Sequence, residues 1–295
     1  MKTEIPDELK ADVPPSLWGK ILSATPVIMT VIATLLAGLA SSEMTRAQYD
    51  RAYAAQLQSK AGDQWNYFQA KKLRGAIQRN SLELLRATSA AGPLNLTTAQ
   101  PAGTTNKLAF ETADQLLRSA EEPLSLDAQV KPAFDALNDD KPESEMAELL
   151  KDVNTRSLDD ALKLAKDRTR AFDAKLDEIT SNLDQTEQRL SSNPAQAHDF
   201  LLWQMDFNAR RYEVEARLNQ AVAYVYELQV RKSNLSAERH HTRSQKFFFG
   251  MLAAQAAVII ATLALAARKR SLLWSLAAGA GIAAVLFAIY VYLYV

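Results

Sequence analysis

Three stretches of the sequence decide the fold, because none of them contains a charged residue. They read ILSATPVIMTVIATLLAGLASS (residues 21–42), FFFGMLAAQAAVIIATLALAA (residues 247–267) and SLLWSLAAGAGIAAVLFAIYVYLYV (residues 271–295). A helix needs about 20 apolar residues to cross the hydrocarbon core of a bilayer, and each stretch reaches that length. The sequence therefore predicts an all-α membrane protein with one N-terminal span and a C-terminal hairpin of two spans.

Composition averages hide this division of the chain. The 34 basic and 34 acidic residues all lie outside the three stretches, although the mean hydropathy of −0.18 resembles that of a soluble protein. No ionisable side chain lies inside a predicted span, so the usual signs of an ion or proton pathway are missing. Small residues recur at spacing four, as at Ala33 and Ala37 or Ala277 and Gly281, and we expect close helix packing there.

A cleaved signal peptide is the alternative interpretation of residues 21–42, since Gly38, Leu39 and Ala40 resemble a cleavage site. The tail of residues 1–20 contains four acidic residues, whereas a signal peptide begins with a short basic region. A retained transmembrane anchor fits this tail better.

Orientation depends on the short loop between the last two spans, which consists of Arg268, Lys269 and Arg270. Because basic loops stay in the cytoplasm, this loop predicts a cytoplasmic N-terminus and an extracytoplasmic segment 43–246 in a bacterial inner membrane. Basic residues at both ends of that segment, such as Arg46 and Arg243, argue against this orientation.

The 204 residues from 43 to 246 are too long for a connector, and proline divides them into parts. We expect an outgoing helical arm (43–87), a Pro-rich connector with short helices (88–156), a coiled-coil helix (157–191) and a return helical arm (195–246). Ser157 and Asp160 resemble a capping box at the start of the third part.

Heptad spacing predicts coiled-coil character in residues 157–191. Eight of ten positions spaced by four and three are apolar, beginning at Leu158 and ending at Leu190. The return arm has one apolar ladder from Phe200 to Leu235, and a second, half-polar ladder that includes Arg211 and Lys232. We therefore expect the return arm to pack against several helices.

If the two arms lie antiparallel, residues at equal height have numbers that sum to about 289, because both helices rise equally per residue. Opposite charges meet on that sum in three pairs, which are Glu43–Lys246, Asp50–Arg239 and Arg51–Glu238. The same register places Trp65 opposite Tyr224 and Lys71 near Glu215.

A motif in the outgoing arm carries a family resemblance. It consists of Asp63, Gln64 and Trp65, followed by Tyr67, Phe68, Gln69, Ala70 and Lys71. This run resembles the signature of an uncharacterised bacterial family, domain of unknown function 4337, over residues 20–87 and 205–295. The resemblance implies the arrangement of spans described above and no activity. Core packing of Leu57, Ala61, Trp65 and Phe68 explains the motif; alternatively, Asp63, Gln64 and Lys71 form a polar clamp for the arms or for a subunit contact.

The sequence shows no recognisable motif for catalysis or for binding a metal or cofactor. It has no cysteine and no Gly-rich phosphate loop, and its three histidines lack metal-ligand spacing, so we expect no enzyme activity, metal or cofactor. The near-neutral segment 43–246 is unsuited to nucleic acid, and no small-molecule substrate is identifiable. The expected partners are the lipid bilayer and further copies of the chain.

Three functions remain open. The first is a non-enzymatic oligomeric scaffold or envelope structural protein built on coiled coils. The second is a channel or transport-accessory subunit, and the third is a membrane sensor or adaptor.

Overall fold

The computed structural model describes residues 17–88, 104–190, 192, 194–266 and 270–294. Within these ranges the chain forms seven α-helices and no strand. The helices are α1 (Leu17–Thr88), α2 (Thr104–Glu121), α3 (Lys131–Asn138), α4 (Glu143–Lys151), α5 (Thr155–Leu190), α6 (Pro194–Ala266) and α7 (Arg270–Tyr294). The prediction of an all-α fold is confirmed for this part of the chain.

Two compact units divide the chain. The terminal unit comprises Met1–Ala52 and Asn234–Val295, and the central unit comprises Tyr53–Ser233. The helices α1 and α6 each contribute to both units. The units are described separately below.

Alanine fills the contacts between the helices of the terminal unit. Ala254, Ala257 and Ala261 on α6 are fully buried, and so is Ala277 on α7. On α1, Ala33 belongs to the same kind of contact. Small side chains let helix backbones approach closely, as the spacing of small residues in the sequence predicts.

Large apolar side chains lie on the outside of the same unit. The exposed ones include Leu35 on α1, Ile259 on α6 and Leu286 on α7. A water-soluble unit buries such residues first, so this inside-out packing is compatible with a lipid surrounding. Three helices, α1, α6 and α7, are long and apolar enough to cross a membrane.

Helix α5 supplies one side of the core of the central unit. Eight of the ten predicted heptad positions on α5 are buried, and six of these eight belong to hydrophobic clusters with residues of α1, α2 and α6. Examples are Phe172 and Ile179, which share a cluster with Leu117 of α2 and Phe207 of α6. The heptad stripe of α5 is thus used inside the chain.

The start of α5 differs from the predicted capping box at Ser157. The helix begins at Thr155, because the side-chain oxygen of Asn154 accepts a hydrogen bond from the backbone N–H of Arg156 at 3.0 Å. An asparagine in this position satisfies a backbone donor of the first turn. Asn154 is therefore the N-cap.

Candidate functional site

Trp65 joins α1 to α6 in the central unit. Its indole Nε1 donates a hydrogen bond to Glu227 Oε1 at 2.6 Å. Its ring meets the ring of Tyr224 edge-on, with a centroid distance of 5.5 Å, and the ring of Phe68 at 5.3 Å. The predicted position of Trp65 opposite Tyr224 is confirmed, and the two arms of the central unit are antiparallel neighbours.

Side chains of the motif take different roles. Leu57 and Ala61 are buried and Trp65 and Phe68 are partly buried, so the predicted packing stripe is present. Four other motif residues, Asp63, Tyr67, Gln69 and Ala70, are exposed. Of the proposed polar clamp, Lys71 contacts α6 and Gln64 lines a cleft. Asp63 makes no ion pair with any residue that the structure describes.

Gly75 marks a close approach of α1 to α6. A Cβ atom at this position would lie 3.4 Å from the carbonyl oxygen of Ala209 and 3.5 Å from Cβ of Tyr212. These are ordinary van der Waals distances for one methyl group. A longer side chain would push the two helices apart.

Glu215 of α6 is a buried charge, with only 4% of its surface exposed. Its carboxylate forms ion pairs with Lys71 of α1 and with Arg211 of α6, where Arg211 Nε lies 3.0 Å from Glu215 Oε1. A buried carboxylate is costly unless cations neutralise it, and here two helices supply them. The predicted proximity of Lys71 and Glu215 is confirmed.

Asp173 of α5 lies beside this cluster. Partial burial raises the pKa of Asp173 above its ordinary value, and the negative charge of Glu215 raises it further, while Lys71 acts in the opposite direction. The groups Lys71, Asp173, Arg211 and Glu215, called the charge cluster below, therefore couple three helices electrostatically.

A cleft of about 380 Å³ opens next to the charge cluster. Helices α1, α5 and α6 line it with polar and apolar side chains, among them Gln64, Tyr67, Lys166, Thr169, Arg170, Asn219 and Val222. The lining cations already have partners: Lys71 pairs with Glu215, Arg170 with Asp167 at 3.3 Å, and Lys166 donates to the hydroxyl of Tyr226 at 2.6 Å. This arrangement can fix the three helices relative to one another.

The predicted pair Glu43–Lys246 lies in the terminal unit. Glu43 Oε2 instead contacts His240 Nδ1 at 2.5 Å, and Glu43 Oε1 lies 3.5 Å from Arg46. The ammonium group of Lys246 lies over the ring of Tyr290. Glu43 therefore does join α1 to α6, through His240.

The two other predicted pairs, Asp50–Arg239 and Arg51–Glu238, also form no ion pair in the described part of the terminal unit. Three of these four residues, Arg51, Glu238 and Arg239, are exposed to the surroundings. Equal height on two helices does not bring side chains together when they point away from the contact line.

The loop residues Arg268 and Lys269 lie outside the described residues, and of Arg270 only the helical backbone is described. Among the described residues, no histidine belongs to a group of three or more ligand-type residues that could hold a metal ion. His198 lies 3.8 Å from Asp199, and His241 contacts Gln245.

The contacts of several residues were not predicted from the sequence. Arg211 and Lys232 interrupt the second ladder of the return arm, and both are used: Arg211 in the charge cluster, and Lys232 as a donor to the carbonyl of Leu150, near the end of α4, at 2.8 Å. Their regular spacing within a half-polar ladder was the available signal. Nothing in the sequence marks Asp173 or Glu227.

In the part of the chain that the structure describes, the fold and these contacts define an all-helical protein with three helices long and apolar enough to cross a membrane. A family model described as Domain of unknown function (DUF4337) matches residues 18–200. The match covers more than half of the chain, so the protein belongs to this family.

The matched range contains the Trp65 motif. It also includes residues 88–200 and ends before 205–295, so it differs in extent from the resemblance at 20–87 and 205–295. Searches of the curated proteins and of the solved structures found no match.

Proposed function

We propose that the chain is a non-enzymatic integral membrane protein of the bacterial inner membrane, and that it assembles into an oligomeric helical scaffold. The observation that carries this proposal is the inside-out packing of the terminal unit, with Ala257 and Ala261 inside and Ile259 and Leu286 outside. Helices of this composition are stable when lipid covers their large side chains.

The central unit supports a structural role. Its motif side chains hold helices together, as Trp65 does with Glu227 and Lys71 with Glu215. The cations that line its cleft, Lys71, Lys166 and Arg170, each have a partner within the chain. A rigid helical body of this kind suits a scaffold.

Native mass spectrometry of the full chain in detergent tests the assembly. We expect a defined oligomer as the main species, and a monomer at all concentrations would contradict the scaffold. An oligomer that conducts ions after reconstitution into liposomes would favour the channel function instead.

Sidedness can be tested separately because the chain has no cysteine. The variant Leu164→Cys places one thiol at an exposed position of the central unit. We expect a membrane-impermeant maleimide to label it in spheroplasts before lysis. Labelling only after lysis would place the central unit in the cytoplasm and would overturn the proposed orientation.

A further inference from the structure

The exposed surface of α1 carries a second apolar stripe in the central unit. Leu73, Ile77 and Leu84 have 63%, 53% and 65% of their surface exposed. With Ala70, Asn80 and Ala87, which are also exposed, they follow one another at alternating steps of three and four residues. This is the spacing of a coiled-coil seam.

Lipid does not fit this stripe. Residues 71–86 contain six charged side chains, which are Lys71, Lys72, Arg74, Arg79, Glu83 and Arg86. A helix segment with this charge is unsuited to the hydrocarbon core, where each such side chain is costly. The stripe therefore fits the surface of another protein helix.

The other face of α1 is already occupied within the chain. Leu82 is buried, and Gly75 lies against α6. The helix α1 thus has two apolar faces in this region, and the chain itself uses one of them.

We propose that the stripe pairs with the same stripe of a second copy of the chain, in a parallel two-stranded coiled coil. This inference rests on the oligomeric scaffold proposed above and names its interface. Copies inserted into one membrane in the same orientation present their α1 helices in parallel. In that geometry each seam residue meets its own counterpart, so the two stripes match in length and spacing by symmetry.

Asn80 favours the parallel register. In a parallel pair it meets Asn80 of the second copy, and the two amides can hydrogen-bond within the seam, whereas an antiparallel pair would place it against Ile77. A register that leaves the buried amide against an apolar side chain loses this hydrogen bond and is therefore disfavoured.

Charges beside the seam also permit a parallel pair. Arg74 would lie next to Gln69 of the second copy, and Glu83 next to Thr88, so no like charges meet.

The contact would bury on the order of 1,000 Å² over both copies, near the lower bound for a specific interface.

Disulfide crosslinking of the full chain in native membranes tests the interface. Single variants Leu73→Cys, Ile77→Cys and Leu84→Cys each place a thiol on the seam, and Leu164→Cys is the matched control at an exposed leucine of α5. Because the seam holds two thiols at high effective concentration, we expect dimers to form about tenfold faster or more at the three seam positions than at the control.

Equal rates at the seam and at Leu164 would overturn the proposal. Crosslinks that form only between Leu73→Cys and Leu84→Cys chains would overturn the parallel geometry, because those positions meet in an antiparallel pair.

The triple variant Leu73→Glu/Ile77→Glu/Leu84→Glu separates this inference from the proposed function. Its substitutions lie on exposed positions, so circular dichroism should show unchanged helix content. We expect native mass spectrometry to show a smaller species than the wild type. An unchanged oligomer would refute the seam and leave the scaffold standing, whereas a monomeric wild type would refute the scaffold itself.

Discussion

Replacing Glu215 by glutamine removes the negative charge on which the charge cluster depends. Glu215 is 4% exposed, and the side chains of Lys71 and Arg211 are 26% and 19% exposed. Without the carboxylate, two mostly buried cations lie near each other, and Asp173 is the remaining anion of the charge cluster. Breaking a buried ion pair from one side costs roughly 3–5 kcal/mol, and the residual exposure of both cations reduces this to about 2–4 kcal/mol.

Thermal unfolding of the full chain in detergent, followed by circular dichroism, measures this effect. For a unit the size of Tyr53–Ser233, 1 kcal/mol corresponds to about 2–4 °C, so we expect Tm to fall by roughly 5–15 °C. The matched control is Glu148→Gln, which removes an exposed pair with Lys151 and should lower the stability by less than about 1 kcal/mol.

A triple variant identifies the cause of the loss. In Lys71→Met/Arg211→Met/Glu215→Leu all three partners become apolar, and buried ion pairs replaced in this way are often as stable as the original. We expect most of the lost Tm to return. A Glu215→Gln protein that melts within about 2 °C of the wild type would refute the reasoning, because burying two cations without their carboxylate partner should lower the free energy of unfolding by more than that.

Further predictions concern single contacts of the central unit, each measured by the same unfolding assay. Folding raises the pKa of Asp173, so its charged form destabilises the native state and stability is lost as pH rises from about 3.8 through the folded pKa. Asp173→Asn should therefore raise Tm at pH 7 and change it little at pH 3, and a loss at pH 7 would contradict this. Trp65→Phe removes the hydrogen bond to Glu227 and should cost about 1.5–3 kcal/mol, whereas no change would mean that the bond adds nothing. Gly75→Ala should be tolerated and should gain up to about 1 kcal/mol of helix propensity, like the unobstructed control Gly62→Ala. Gly75→Leu should destabilise the protein by separating α1 from α6. A stable Gly75→Leu protein would argue against the close approach.

Features that follow from a constant helical rise were predictable from the sequence. Trp65 lies at the level of Tyr224 and Lys71 near Glu215, because two long helices keep their register over many turns. The absence of charge over residues 247–267 likewise marked a helix suited to lipid.

Features that depend on the direction of a side chain around its helix were not predictable in the same way. Glu43 and Lys246 were expected at equal height, yet Glu43 contacts His240, because helices touch along one line only. The heptads of α5 gave the correct buried face but not its partners, since the spacing is the same for a second chain and for α2 and α6. Which of the two apolar faces of α1 is buried within the chain, and which is exposed, could be read only from the tertiary structure.

The alanine contacts of the terminal unit have a consequence for natural variation. At Ala254, Ala257 and Ala261 any larger residue would wedge the helices apart, so related sequences should keep small residues there. If the unit lies in a membrane as proposed, outward positions such as Ile259 and Leu263 face lipid, which accepts leucine, isoleucine, valine or phenylalanine almost equally. In a soluble domain the bulky interior positions vary least between related sequences. In this unit we expect the small interior positions to vary least and the bulky outward positions to vary more.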